Sequence, residues 1–139
     1  MQAQVKKLVD EASTWPGVAI AAHRFGGTEF SFGEAEIGHV HPGGIVDIPF
    51  PRSVRNELLA QKLVEPHHWL PNSGWITFRL QREEDLPHAL WLLRLSYLRY
   101  SLKVVADPRG LLAKESARLQ LTPQFSALFE KFVPAPLAA

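Results

Sequence analysis

Hydrophobic spacing changes several times along the chain. Gln2–Ala12 carries Val5, Leu8 and Val9 at helical intervals, which predicts a short amphipathic helix. Trp15-Pro16-Gly17 ends it, since proline disfavours a helical residue before it and glycine turns freely. Four short strand-like runs follow: Val18–Phe25, Thr28–Phe32, Ala35–His41 and Ile45–Phe50. Gly26-Gly27, Gly33-Glu34 and Pro42-Gly43-Gly44 separate them, and turns this short imply antiparallel neighbours. Ser53 is the expected N-cap of a helix to about Lys62. Residues 65–74 read as a loop and Trp75–Leu80 as a fifth strand. A long, largely apolar helix over Glu84–Val105 should lie buried against the sheet. Asp107-Pro108 and Thr122-Pro123 each combine an N-cap with a first-turn proline, and predict two final helices within residues 107–133. The expected fold is α+β: a five-stranded, mainly antiparallel sheet with helices packed on one face, in the order α-β-β-β-β-α-β-α-α-α, as a single domain over residues 1–139.

Pairing the strands assigns side chains to faces. If Gly26-Gly27 is a two-residue loop, Arg24 lies opposite Glu29 and His23 opposite Phe30. If Gly33-Glu34 turns the next hairpin, Phe30 pairs with Ile37 and Thr28 with His39. Period-two alternation then puts His23, Phe25, Phe30, Phe32, Ile37, His39 and His41 on one face and sends Glu36 to the other. A three-residue loop at Pro42-Gly43-Gly44 brings Asp47 opposite His39, and a two-residue loop turns it away.

Charge narrows the partners. There are 15 basic and 14 acidic residues, interspersed, without the basic patch of a nucleic-acid binder. The absence of cysteine excludes disulfides and thiolate metal sites. Neither a leader pattern nor an apolar run long enough for a membrane span is visible, so the expected setting is cytoplasmic, with no membrane partner.

The candidate chemistry lies in the histidines. His39 and His41, with His68 from the loop, are candidates for general acid and base work, and His23, Asp47, His67, Trp69 and Trp75 for ligand binding. The alternative is that the rings close the end of a core and bond to backbone carbonyls, with the two tryptophans as core plugs. His-x-His without cysteine offers too few assured ligands for a closed structural zinc site, so no metal is expected to be needed for folding.

Glu36-Ile37-Gly38-His39-Val40-His41, Glu65-Pro66-His67-His68 and Ser73-Gly74-Trp75-Ile76-Thr77-Phe78 resemble the luciferase-domain family, which contains fungal luciferase and many small bacterial proteins. The resemblance to the bacterial members runs from Trp15 to about Tyr100 and includes Asp47-Ile48-Pro49 and Leu95-Ser96-Tyr97. Against fungal luciferase, Glu36, Ile37, His39 and His41 match an E-I-x-H-x-H motif. His68 and Leu70 match a His-Pro-Leu segment in which Trp69 replaces the proline. The resemblance implies oxidation by O₂ of a small enolic or phenolic molecule without metal or organic cofactor. It makes His39, His41 and His68 candidates for deprotonating an enol and holding its anion. Pro42-Gly43-Gly44 replaces a more His- and Asp-rich stretch of the fungal enzyme, and that enzyme's N-terminal membrane segment has no counterpart here, so light emission does not follow. A non-catalytic module binding a small ligand, a metal or a protein stays open beside the enzyme.

Overall fold

The computed structural model describes residues 2–23 and 26–136. Its elements are α1 (Ala3–Ala12), β1 (Val18–Ala22), β2 (Thr28–Phe32), β3 (Ala35–Val40), β4 (Ile45–Pro49), α2 (Arg52–Ala60), β5 (Glu65–Pro66), β6 (Trp75–Arg79), α3 (Leu86–Ser101), α4 (Pro108–Arg118) and α5 (Pro123–Glu130). The six strands form one sheet in the order β1-β2-β3-β4-β6-β5, antiparallel at every pairing. The class is the expected α+β. The count among the described residues is six strands because Glu65–Pro66, read from sequence as loop, pairs with Thr77 and Ile76. Two residues give no alternation to detect, and a proline is tolerated only because β5 is an edge.

The chain divides into two compact units, one ending at Ser96 and one beginning at Tyr97. In the first, Phe30, Ile37, Val40, Val46, Ile48 and Ile76 are fully buried. Burying each such side chain stabilises the fold by about 1.5–3 kcal/mol. The N-terminal part of α3 packs on this apolar face: a Cβ added at Gly38 would stand 2.9 Å from Leu93 Cδ1. In the second unit, Asp107 accepts from the Gly110 N–H at 3.0 Å and Thr122 from the Phe125 N–H at 3.3 Å, so both expected N-caps form. Ser53, by contrast, caps nothing, since α2 starts at Arg52 after Pro51. The long helix begins after a 3₁₀ turn at Glu83–Asp85 and stops at Ser101. No helix among the described residues is long and apolar enough to cross a membrane.

Two registers depart from expectation. β1 pairs Ala22 with Thr28 and Ala21 with Glu29, so the connection is longer than Gly26-Gly27 and His23 lies beyond the strand. The Gly26 N–H closes a turn on the His23 carbonyl at 2.9 Å. The expected pairing of Arg24 with Glu29 and the placement of Phe25 fall on residues outside those described. Between β2 and β3, Ser31 pairs with Glu36 but Phe30 pairs with Gly38, leaving Ile37 as an extra residue. This β-bulge corrects the expected pairing of Phe30 with Ile37. It also changes the faces: His39 pairs with Glu29, opposite in direction to Phe30, and Glu36 shares the face of His39. The histidines therefore lie on the polar face of the sheet and not among the phenylalanines.

Candidate functional site

The register lines up one row across the sheet: Ala21, Glu29, His39, Asp47, Thr77 and Glu65 stand side by side on β1, β2, β3, β4, β6 and β5. The three-residue loop at Pro42-Gly43-Gly44 delivers Asp47 opposite His39, as one of the two sequence alternatives required. His41 follows His39 by two residues. His67 and His68 arrive from the edge, because β5 ends directly before them. Their loop is held by a hydrogen bond from Arg55 to the Pro71 carbonyl and by the Phe50 N–H on the Gly74 carbonyl at 3.1 Å.

Asp47 is the hub. Its side chain is 1% exposed. Oδ2 lies 3.2 Å from His39 Nε2, 3.0 Å from His41 Nε2 and 3.2 Å from His68 Nε2, while Oδ1 accepts the Thr77 hydroxyl at 2.8 Å. His67 Nε2 stands further off, 3.6 Å from the same oxygen. Burial works against the Asp47 charge, but the hydrogen bonds from His39, Thr77, His68 and His41 outweigh it and hold the carboxyl well below the usual range. Thr77→Val keeps the shape and removes one buried donor to this charge. We expect it to lower stability by about 1.5–3 kcal/mol, read from the denaturant midpoint; an unchanged midpoint would show that the hydroxyl contributes nothing.

The four rings around Asp47 differ. His39 sits between carboxylates, with Nδ1 2.6 Å from Glu36 Oε2 and Nε2 on Asp47. Burial disfavours its charge, yet the bonds to Asp47 and Glu36 prevail and push its pKa to about 9. His67 is the reverse case. Its Nδ1 accepts the N–H groups of Trp69 and Leu70, both at 3.1 Å, which places the proton of the neutral ring on Nε2. Burial, aided by the neighbouring His68, His39 and His41 against the pull of Asp47, lowers its pKa. His41 and His68 each rest Nε2 on Asp47 and leave Nδ1 without a hydrogen-bond partner among the described residues. His23 stacks on His39 with centroids 4.1 Å apart, and burial with the adjacent His39 lowers its pKa.

Above this floor is a cavity of about 230 Å³, walled by Trp75, Trp69 and Leu70 and bordered by His41, His39 and Asp47. Trp75 packs 5.4 Å from the His39 ring. Trp69 is 70% exposed, so it is a wall and not a core plug. All eight sequence candidates thus fall at or around one site, although His68 reaches it through Asp47 and does not line the cavity. The sequence reading missed Glu36, Thr77 and Leu70. For Glu36 a signal existed: Gly38 inside a strand marks a bulge, and one extra residue is what makes an i,i+3 pair share a face.

Fold and site together define a small α+β protein that buries a carboxylate under a histidine cluster at the floor of an aromatic pocket. Residues 34–96, which hold Glu36, all three catalytic candidates, Asp47 and both pocket tryptophans, match the family described as Luciferase domain, the family that the sequence resembles. No curated protein matches the chain.

Proposed function

We propose that the protein is a cytoplasmic enzyme that oxidises a small enolic or phenolic molecule with O₂, the histidine cluster deprotonating the substrate and holding its anion. The observation that supports this reading is the convergence of His39, His41 and His68 on buried Asp47 beneath an aromatic-walled cavity. A planar ring of pyrone or catechol size suits walls of Trp69 and Trp75, with its hydroxyl toward the floor. His41, oriented through Nε2 by Asp47, offers Nδ1 as the proton acceptor. The resulting enolate carbon gives an electron pair to O₂, one C–O bond forms, and the imidazolium returns its proton to the distal oxygen. The product is a hydroperoxide with the composition of substrate plus O₂. Substrate carbon is oxidised and O₂ is reduced to the peroxide level.

The test is O₂ uptake with a panel of hydroxylated pyrones and catechols. His41→Ala is expected to lower turnover about a hundredfold. Trp69→Ala should raise KM several-fold with kcat little changed, because an exposed wall binds substrate and transition state alike. Absence of O₂ uptake across the panel, or full activity in His41→Ala, would reject the reading. A non-catalytic small-ligand module is then the alternative, and would show as binding of the same compounds with no turnover.

A further inference from the structure

We propose that the Nε2 atoms of His39 and His41 and the Oδ2 atom of Asp47 form a binding site for a divalent first-row transition-metal ion. This deepens the reading above, on which its link to the reaction rests, but binding itself is independent of turnover.

Three observations carry it. The first is geometric. Three imidazole nitrogens stand 3.0–3.2 Å from a single oxygen. A carboxylate oxygen offers two lone-pair directions, so a third N–H donor is surplus to hydrogen bonding. Ligands sharing one ion at bond lengths of about 2.0–2.2 Å lie roughly 2.9–3.5 Å from their neighbours, and the His39 and His41 nitrogens stand 3.2 and 3.0 Å from Asp47 Oδ2. His68 groups with Asp47 and His67 instead, so it stands outside the ligand set. The nitrogens of His39 and His41 and the Asp47 oxygen all fall within 4.8 Å of one another.

The second is the support behind the ligands. His39 has Nδ1 on Glu36 at 2.6 Å, the carboxylate–histidine arrangement that fixes a ring with Nε2 directed at a metal. Thr77 anchors the other oxygen of Asp47 at 2.8 Å and so aims Oδ2. His67 also approaches Asp47, but its Nδ1 accepts two backbone N–H groups, and the proton this puts on Nε2 removes it from the ligand set.

The third is charge. Glu36 and Asp47 bring two carboxylates to the His39 ring at the floor of the cavity, a concentration of negative charge that a cation offsets. An ion held there supplies positive charge for a substrate oxyanion, while the metal-free chain leaves His41 as the base proposed above. Imidazole with carboxylate and no thiolate suits zinc, iron, cobalt, nickel or copper better than calcium or magnesium. Exposure of His41 toward the cavity leaves the ion open on one side, as in a catalytic site and unlike a closed structural one.

The experiment uses the full chain, stripped with chelator and titrated with Zn²⁺ by calorimetry and with Co²⁺ by visible absorption. We expect one ion per chain with Kd below about 10 µM. His41→Ala, at a ring that borders the cavity, should weaken binding at least tenfold while the unfolding midpoint of the metal-free protein holds. Glu36→Gln, at a positioning residue, should weaken binding by about 10–100-fold. His88→Gln, at a ring bonded to the Leu63 carbonyl away from the cluster, should leave it unchanged. Weaker or non-saturable binding in the wild-type chain, or wild-type affinity in His41→Ala, would overturn the proposal. O₂ uptake by the chelator-stripped chain separates the two readings: turnover without metal binding rejects the ion alone, and metal binding without turnover on any substrate rejects the oxidation alone.

Discussion

Replacing Asp47 with alanine is expected to lower the unfolding free energy by about 3–5 kcal/mol and to abolish the function of the site. The residue is buried, and it is the shared partner of His39, His41, His68 and Thr77. Its loss removes one of the two carboxylates that face the His39 ring and leaves the Thr77 hydroxyl and three ring nitrogens facing a cavity. Asp47→Asn separates shape from charge. The amide oxygen can still accept from the rings while the NH₂ group turns to the Thr77 oxygen, so we expect it to cost less than half as much as the alanine. Denaturant unfolding of the pair decides the matter. A loss below about 1 kcal/mol for alanine, the size of an ordinary surface or single neutral hydrogen-bond effect, would mean that the cluster does not depend on this carboxylate.

The sequence was most legible where a local rule acts alone. Asp107-Pro108 and Thr122-Pro123 start helices because a side-chain oxygen followed by proline satisfies a first turn whatever surrounds it. The strand runs were legible for the same reason, being apolar or β-branched segments between turn residues. Pairing was not, because register is a property of two strands. Gly26-Gly27 looked like a complete hairpin loop, yet β1 stops at Ala22 and the connection takes His23 with it. Even so, His23 stacks on His39, so proximity was foreseen for a reason that does not hold.

The Ile37 bulge had the larger consequence. Regular alternation placed His39 on the apolar face with Phe30 and exiled Glu36; one extra residue reverses both assignments. The outcome is chemically the more sensible one, since imidazoles in a row with Glu29, Asp47 and Thr77 have polar partners that a phenylalanine face lacks. The pairing of His39 with Asp47, by contrast, was one of two that the sequence left open, and the three-residue turn selects it.

That turn sets up the second large effect. Gly44→Ala is expected to cost about 2–4 kcal/mol, from backbone strain and steric overlap together. Gly44 has φ +96°, in the region that side chains disfavour, and an added Cβ would stand 2.1 Å from the Leu80 carbonyl oxygen. The backbone cannot shift cheaply to admit it. The Gly44 N–H donates to the His41 carbonyl at 2.9 Å, the Gly44 carbonyl accepts from the Leu80 N–H at 2.8 Å, and the His41 N–H bonds the Ile45 carbonyl at 2.8 Å. Gly43→Ala is the matched control, because its added Cβ meets nothing within 4 Å and its φ is not in the disfavoured region; it should change stability by no more than about 0.5 kcal/mol. The functional consequence follows from register. If the turn relaxes by one residue to admit the Cβ, β4 slips against β3 and Asp47 swings to the apolar face, taking the carboxylate from His39, His41 and His68 at one stroke. Histidine ring resonances compared across wild type, Gly43→Ala and Gly44→Ala should therefore change only in the last, and equal unfolding midpoints for the two alanine variants would show that the turn does not set the register of the site.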